Sequence, residues 1–296
     1  MPGSRPPIVS GFTFVRNAIK YDYPIVEAIS SILPLCDEVV VAVGGSEDET
    51  LDLVRSIGSP KVRIIETVWD DALREGGRVL AVETDKALGA ISPTADWAVY
   101  IQGDEILHES GLPALREAME RHRDDRRVEG LLLDYLHFYG SYDYLGAGLR
   151  WYRREVRVVR NDRDVFSYRD AQGFRRRPNE KLRVKRVAAT VHHYGWVKPP
   201  RAMQGKIASF NKYWHDDAWM KEHIPAVEEF SYEGKEPLRR FEGTHPAVMQ
   251  RRVAAMNWRV TIDPAAVPLR AKDRLKLAVE ALTGWRPGEY KNYKIV

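Results

Sequence analysis

The sequence predicts an α/β fold, a mainly parallel sheet flanked by helices, with a helical C-terminal extension. Across the first hundred residues, short runs rich in valine and isoleucine alternate with helical patterns. The segments joining them are short, as expected for right-handed crossovers between parallel strands. After Pro199-Pro200 the strand-like runs give way to helical periodicity, which divides a sheet domain (1–200) from a mainly helical extension (201–296).

The elements follow in order. PIVSGFTFV (7–15) reads as the first strand. A helix from Pro24 to Leu33 starts with a proline in its first turn, where the missing N–H costs nothing, and Pro34 stops it. DEVVVAV (37–43) has the unbroken apolar character of a strand covered on both faces. It runs into GGSEDET, where Ser46 and Glu49 have the spacing of a capping box. The helix that follows carries Leu51, Val54 and Ile57 on about one face. KVRIIET (61–67), a helix over 77–90 and WAVYIQ (97–102) complete a βαβαβαβ series. After a helix near 110–123 come strands at 128–140, 155–160 and 187–196, with the aromatic loop SYDYLGAGLRWY after the first of them. Ala202–Trp214, Pro246–Trp258 and Ala271–Thr283 read as helices. The last groups Leu275, Ala278, Val279 and Leu282, with Gly284 placed as a C-cap.

Composition narrows the class. Of 296 residues, 44% are hydrophobic and 30% charged, as in ordinary globular proteins. The single cysteine, Cys36, excludes an internal disulfide; among Ile32, Leu33, Leu35 and Val39 it reads as a buried thiol, not a nucleophile. MPGSRPPIVSGF has no apolar leader core, and no run of about 18 apolar residues occurs. The expectation is a cytoplasmic protein that does not span a membrane. The formal charge of +4 hides an asymmetry: Arg150 to Arg201 holds 16 Lys/Arg against 5 Asp/Glu. Such a block is either a solvated face or an attractor for phosphate, nucleic acid or anionic lipid.

ADWAVYIQGDEILHE (95–109) carries the chemistry. An apolar strand ends on Gly103 and two carboxylates, Asp104 and Glu105. In open α/β sheets ligands gather at the carboxyl ends of the strands. That rule puts Gly44–Ser46, Glu66–Asp71 and Gln102–Glu105 along one edge. The cluster is a polar turn or a site for a divalent cation, which takes oxygen ligands and needs only one or two protein carboxylates when phosphates complete its shell. Gly103 would let phosphates approach the backbone.

Four segments in order, VSGFTFVRN, DEVVVAVGGSEDET, REGGRVLAVETDKAL and DWAVYIQGDEIL, resemble the family 2 glycosyltransferases with the nucleotide-sugar-binding GT-A fold, a Rossmann-like architecture. The closest branch in character is that of bacterial lipopolysaccharide-core glucosyltransferases. Two departures stand out. Val43 and Gly44 replace the paired aspartates that end the second strand in many relatives, and Gln102 replaces the first aspartate of the metal motif. Asp104 matches the aspartate that ligates the metal, and Glu105 matches the Glu of the Asp-x-Asp-Glu variant.

The resemblance implies a hexosyltransferase that moves a sugar, with inversion, from a nucleotide-sugar donor to a hydroxyl of a cell-envelope glycan or lipid-linked saccharide. It implies Mn²⁺ or Mg²⁺ as cofactor, no nucleic acid partner, and a peripheral contact between basic surface and the inner face of the membrane. Asp104 and His193 would hold the metal, a core histidine being the alternative for His193. The general base would come from SYRDAQGFRRRPNEKL: Asp170, beside small residues that leave room for an acceptor, or Glu180, alternatively a surface ion pair. Donor contacts would come from Gly103, Asp104 and Glu105, from Arg16 and Asn17 at the end of the first strand, from Arg78 after Gly76-Gly77, and from Trp196 and Lys198. Each of the arginines and aromatics has a structural alternative.

Two rival functions remain. A sugar-nucleotide pyrophosphorylase would carry a Gly-rich basic loop after the first strand, where FVRNAIKYDYP stands. A non-catalytic glycan- or RNA-binding module would need no divalent ion, and binding to RNA would weaken steeply with salt.

Overall fold

The computed structural model describes residues 5–224, 227–260, 263–264 and 266–296. Residues 1–4 lie outside the described residues. The first half follows the expected alternation: β1 (Val9–Val15), α1 (Ile25–Ile32), β2 (Glu38–Gly44), α2 (Thr50–Arg55), β3 (Val62–Thr67), α3 (Arg78–Gly89) and β4 (Trp97–Tyr100). Then come β5 (Glu105–Leu107), α4 (Leu112–Arg121), β6 (Gly130–Tyr139), β7 (Tyr144–Gly146), β8 (Arg154–Arg160), β9 (Val165–Tyr168), β10 (Gly173–Arg176) and the 17-residue β11 (Glu180–Trp196). The remainder holds α5 (Pro200–Asn211), α6 (Asp217–His223), β12 (Leu238–Arg240), α7 (Gln250–Ala254), α8 (Ala271–Thr283) and β13 (Tyr293–Ile295).

The main sheet runs β3-β2-β1-β4-β8-β6-β11-β10-β9. Its first four strands are parallel, as βαβ crossovers dictate. The second half is mixed, not parallel: β8 lies antiparallel between β4 and β6, and β11 pairs antiparallel with β5 and β10 but parallel with β6 and β13. The sheet curls toward a half-barrel instead of staying open. Helices flank this sheet, and the chain after residue 200 supplies two strands as well as helices.

Core packing explains why β1, β2 and β4 read as apolar runs. Phe12, Val40, Ala42, Ala98 and Tyr100 face one layer, while Val9, Val39, Val41, Val43, Trp97 and Val99 face the other. Cys36 is buried in the second layer, where burial pushes its thiol pKa up.

Two local expectations change. Ser46 does not cap α2: its hydroxyl accepts from Asn17 N at 3.0 Å and donates to Gly44 O at 2.8 Å, while Asp48 receives the Thr50 N–H at 3.1 Å. Pro246–Trp258 forms only a 3₁₀ turn and the five-residue α7. On α8, Leu275, Ala278 and Leu282 are exposed and Val279 is half-buried. Among the described residues no helix is long and apolar enough to cross a membrane.

The basic block is largely interior or paired. Arg160 donates to the carbonyls of His122, Arg123, Asp125 and Val128 beyond the end of α4, and it lies 4.3 Å over the Trp97 ring. Arg154 and Arg186 share Asp134, Arg176 and Arg183 share Glu129, and Arg153 holds Glu280 and Glu289. Positive charge concentrated in the sequence is thus met by acids from other parts of the chain.

The most enclosed pair is Arg157–Glu105, with side chains 1% and 0% exposed. Both guanidinium–carboxylate contacts are short, 2.8 and 2.7 Å, and Tyr135 donates to the same carboxylate at 3.0 Å. Arg157→Met should cost about 3–5 kcal/mol in urea unfolding, since it strands a buried carboxylate. The double variant Arg157→Met/Glu105→Leu should recover much of that loss. A single-variant cost below about 1 kcal/mol would contradict this account.

Candidate active site

A cavity of about 260 Å³ opens at the carboxyl edge of β1 and β4. Its lining includes Phe14, Arg16, Asn17, Trp69, Gly103, Asp104, Asp170 and, from α5 and the turn beyond it, Lys206, Phe210 and Tyr213. The crossovers make this edge the place where strands end and loops begin, so side chains far apart in sequence converge there.

Asp104 follows β4 by a tight turn, and its carboxylate is buried. Lys206 Nζ donates to Oδ2 at 3.0 Å and to Gly195 O at 2.9 Å. Burial alone would raise the Asp104 carboxyl, but the Lys206 ammonium, which also donates to it, outweighs burial and holds the group well below the usual carboxylate range. His193 sits on β11 between β5 and β6, in register with Glu105 on one side and His137 on the other. Its Nε2 lies 3.7 Å from Asp104 Oδ1.

A hydrogen-bond chain fixes the His193 tautomer. His137 Nε2 is 2.7 Å from the carbonyl of Tyr152, which can only accept, so the proton sits on that nitrogen and Nδ1 is an acceptor. His193 Nδ1, 3.1 Å from His137 Nδ1, must then donate. The lone pair of His193 Nε2 is left on the side of Asp104. Burial pushes the pKa of both imidazoles down, which keeps them neutral. A carboxylate and an imidazole lone pair on one spot fit a hard divalent cation whose remaining ligands come from phosphate and water. Among the described residues no cluster of three or more His, Cys, Asp and Glu forms an all-protein cage.

Gly195 makes this geometry possible. A Cβ there would lie 2.7 Å from His193 Nε2 and 2.9 Å from Asp104 Oδ2. Gly103 is less constrained, because a Cβ at that position would meet only ordinary contacts, the nearest at 3.7 Å.

Asp170 faces the same cavity from a loop between β9 and β10. The loop is strained, with φ of 57° at Arg169 and 63° at Ala171, and two side chains hold it. Gln102 Nε2 donates to Ala171 O at 2.9 Å, and Arg157 Nη1 donates to Gln172 O at 2.9 Å. An aspartate at position 102 could not make the first of these bonds, which gives Gln102 a reason of its own. Burial raises the Asp170 carboxyl, against the pull of Arg169 and nearby backbone N–H groups. Gly77, with φ 69°, leaves room for it: a Cβ there would lie 2.7 Å from Asp170 Cβ and 2.6 Å from Trp214.

The expected donor residues divide. Arg16 and Asn17 line the cavity, though both are also engaged in the scaffold: Arg16 pairs with Asp71 at 2.7 Å, and Asn17 Oδ1 accepts from Glu47 N at 2.7 Å. Glu105 points inward and is consumed by Arg157, so it does not face a donor. Arg78 lines a separate hollow with Asp85, Phe166 and Arg169, and the Gly77 N–H at the start of α3 is taken by Tyr213 O. Trp196 stacks on Tyr139 at 5.8 Å, outside the cavity lining. Lys198 is fully buried, donating to Asp22 O at 2.7 Å and lying 4.3 Å over Tyr23. Burial and Lys206 push its pKa well down. Glu180 is exposed at the β10–β11 hairpin, away from the cavity. His192 points to the opposite face of β11, yet it too is covered, 5.3 Å from Phe138 and 5.2 Å from His108.

Gln102 and Trp69 lie in stretches the sequence put on the ligand edge, whereas Lys206, His137 and Gly195 complete the site without having been named. Of these three only Gly195 had a signal, standing next to the noted histidines in HHYGW. The Val43-Gly44 departure also finds a cause: a Cβ at Gly44 would lie 2.3 Å from Trp69 Nε1, so the indole occupies the space an aspartate would need.

No protein-family model and no curated protein matches the chain. Among solved structures, glucosyl-3-phosphoglycerate synthase from Mycobacterium tuberculosis, in complex with Mn²⁺, UDP and phosphoglyceric acid, is 23% identical with a TM-score of 0.30, covering 44% of this chain and 43% of that one. S. aureus TarS is 15% identical with a TM-score of 0.39, covering 69% and 39%. A mycobacterial protein is 16% identical with a TM-score of 0.30, covering 46% and 42%. The chain thus spans less than half the length of each of these proteins.

Gly195→Ala should displace the Asp104 carboxylate or the His193 ring and cost about 1–3 kcal/mol of stability. Thermal unfolding measures the cost, and unchanged stability with unchanged Asp104–His193 geometry in a crystal would overturn the steric argument.

Proposed function

We propose that the chain is a metal-dependent glycosyltransferase, moving a sugar from a nucleoside-diphosphate donor to a hydroxyl acceptor with inversion at the anomeric carbon. The acceptor class is a cell-envelope glycan or lipid-linked saccharide. The observation that supports this most is the sharing of one cavity by an ionised, cation-poised carboxylate (Asp104 with His193 Nε2) and a second, raised carboxyl (Asp170).

The division of labour follows from their environments. A divalent cation bound by Asp104 and His193 would neutralise charge on the departing diphosphate. His137 orients His193 so that its lone pair is available. Lys206 adds a second positive charge beside Asp104, where negative charge develops on the leaving group. Asp170 accepts the acceptor hydroxyl's proton; a raised pKa makes it a stronger base than a free aspartate, whose pKa is about 3.9. Trp69, Phe14 and Tyr213, with ring centroids 5.7 Å from Trp69 on either side, offer flat faces for a base or sugar.

The deciding experiment incubates purified protein and Mn²⁺ with a panel of nucleotide sugars and measures released nucleoside diphosphate. Release is expected for at least one donor and should vanish on chelation. Asp104→Ala should lower turnover by about 10²-fold or more without altering the circular dichroism spectrum. No release from any donor, with or without added glycans, would return the chain to the binding-module reading.

The ionised form of Asp170 is the active one, so kcat/KM should fall as pH drops through a value raised above that of a free aspartate. Asp170→Asn should cost about 10²–10⁴-fold and abolish that acid limb. Retention of the limb in the variant would assign the base elsewhere.

A further inference from the structure

Helix α8 is oriented opposite to a helix that packs on its own domain. At 3.6 residues per turn, Ala271, Leu275, Ala278 and Leu282 share one face. All four are exposed, Leu275 by 67% and Leu282 by 88%, and Trp285, just past the Gly284 C-cap, by 56%. The opposite face carries Asp273 and Glu280. Glu280 receives Arg153 at 2.8 Å and Arg286 at 2.5 Å, while Arg153 also holds Glu289 at 2.7 Å. Arg286 further donates to Trp151 O at 2.9 Å. Ion pairs on the polar face therefore fasten α8 to the body, and the same fastening fixes its apolar face outward. A contiguous exposed stripe of this kind marks an interaction surface.

Charge selects the occupant. Arg270, Lys272 and Arg274 are exposed beside the stripe, and among the described residues no ion pair engages them or Lys276. The acids of the helix lie on the far side. Self-pairing of the stripe about a two-fold axis would set no acid of either helix against these cations, since Asp273 and Glu280 face away from the stripe. An anionic lipid surface instead satisfies both features, taking the apolar stripe below the headgroups and the cations at the phosphates.

We propose that α8 is a docking surface for an anionic bilayer. The helix, about 20 Å long, lies in the plane of the interface. Leu275, Leu282 and Trp285 enter the headgroup–acyl boundary, and Arg270, Lys272 and Arg274 meet lipid phosphates. The proposal concerns binding alone and does not depend on the transfer reaction. It moves the expected basic contact away from the Arg150–Arg201 block, whose charges are largely paired, to a helix whose cations no ion pair among the described residues engages.

Co-sedimentation of the full chain tests it, using vesicles of phosphatidylcholine alone and of phosphatidylcholine with phosphatidylglycerol in equal parts. Binding is expected to the anionic vesicles only and should weaken with salt. Leu275→Glu/Leu282→Glu and Lys272→Glu/Arg274→Glu alter exposed side chains only, and each double variant should reduce the bound fraction roughly tenfold or more. Equal binding of wild type and both variants would overturn the proposal, as would no binding to either vesicle. A dimer in analytical ultracentrifugation that Leu275→Glu/Leu282→Glu converts to monomer, without any vesicle binding, would assign the stripe to a second copy of the chain instead.

Discussion

The contact between Glu105 and Arg157 underlies the whole cavity. Glu105 is the residue after Asp104, and Arg157 reaches from it to the carbonyl of Gln172, two residues past Asp170. One guanidinium thereby spans both carboxylate-bearing loops. A buried ion pair contributes little net stability, because desolvating two charges offsets most of their attraction. Its consequence here is positional: neither loop can shift without breaking a charged hydrogen bond in an interior that cannot supply water in its place.

Around that contact the two halves of the sheet play different parts. The parallel half delivers strand ends to one edge, as any βαβ series must. The mixed half supplies the rest. Strand β8 brings Arg157, β11 brings His193 and Gly195, and β6 brings His137. Helix α5 then closes the cavity with Lys206 and Phe210. The site is thus a product of long-range pairing, with α5 and the turn after it forming the wall from beyond β11.

Charge follows the same logic. The arginine-rich stretch after residue 150 looks like a solvated basic face in the sequence, but β-pairing and packing set its residues against Glu105, Glu129, Asp134, Glu280 and Glu289. On α8, by contrast, Arg270, Lys272, Arg274 and Lys276 stand against a single acid, Asp273, over seven residues, and no ion pair among the described residues engages those cations.

The sequence by itself determined the order of the first four strands and three helices, because hydrophobic periodicity and the Pro and Gly stops are local properties. It also put the cavity's two carboxylates among its candidates, Asp104 beside Glu105 at a strand end and Asp170 beside Glu180 in the segment after the later strand, and left each pair undivided. It could not separate Asp104 from Glu105, which are adjacent and chemically alike. Only the pairing of β4 with β8 set Arg157 against one of them and left the other to the cavity. Likewise an apolar helical stripe reads the same whether it faces a core or solvent. The direction of the α8 stripe was decided by Arg153, an ion-pair partner more than a hundred residues away, because amphipathicity fixes which residues share a face and tertiary contacts fix where that face points.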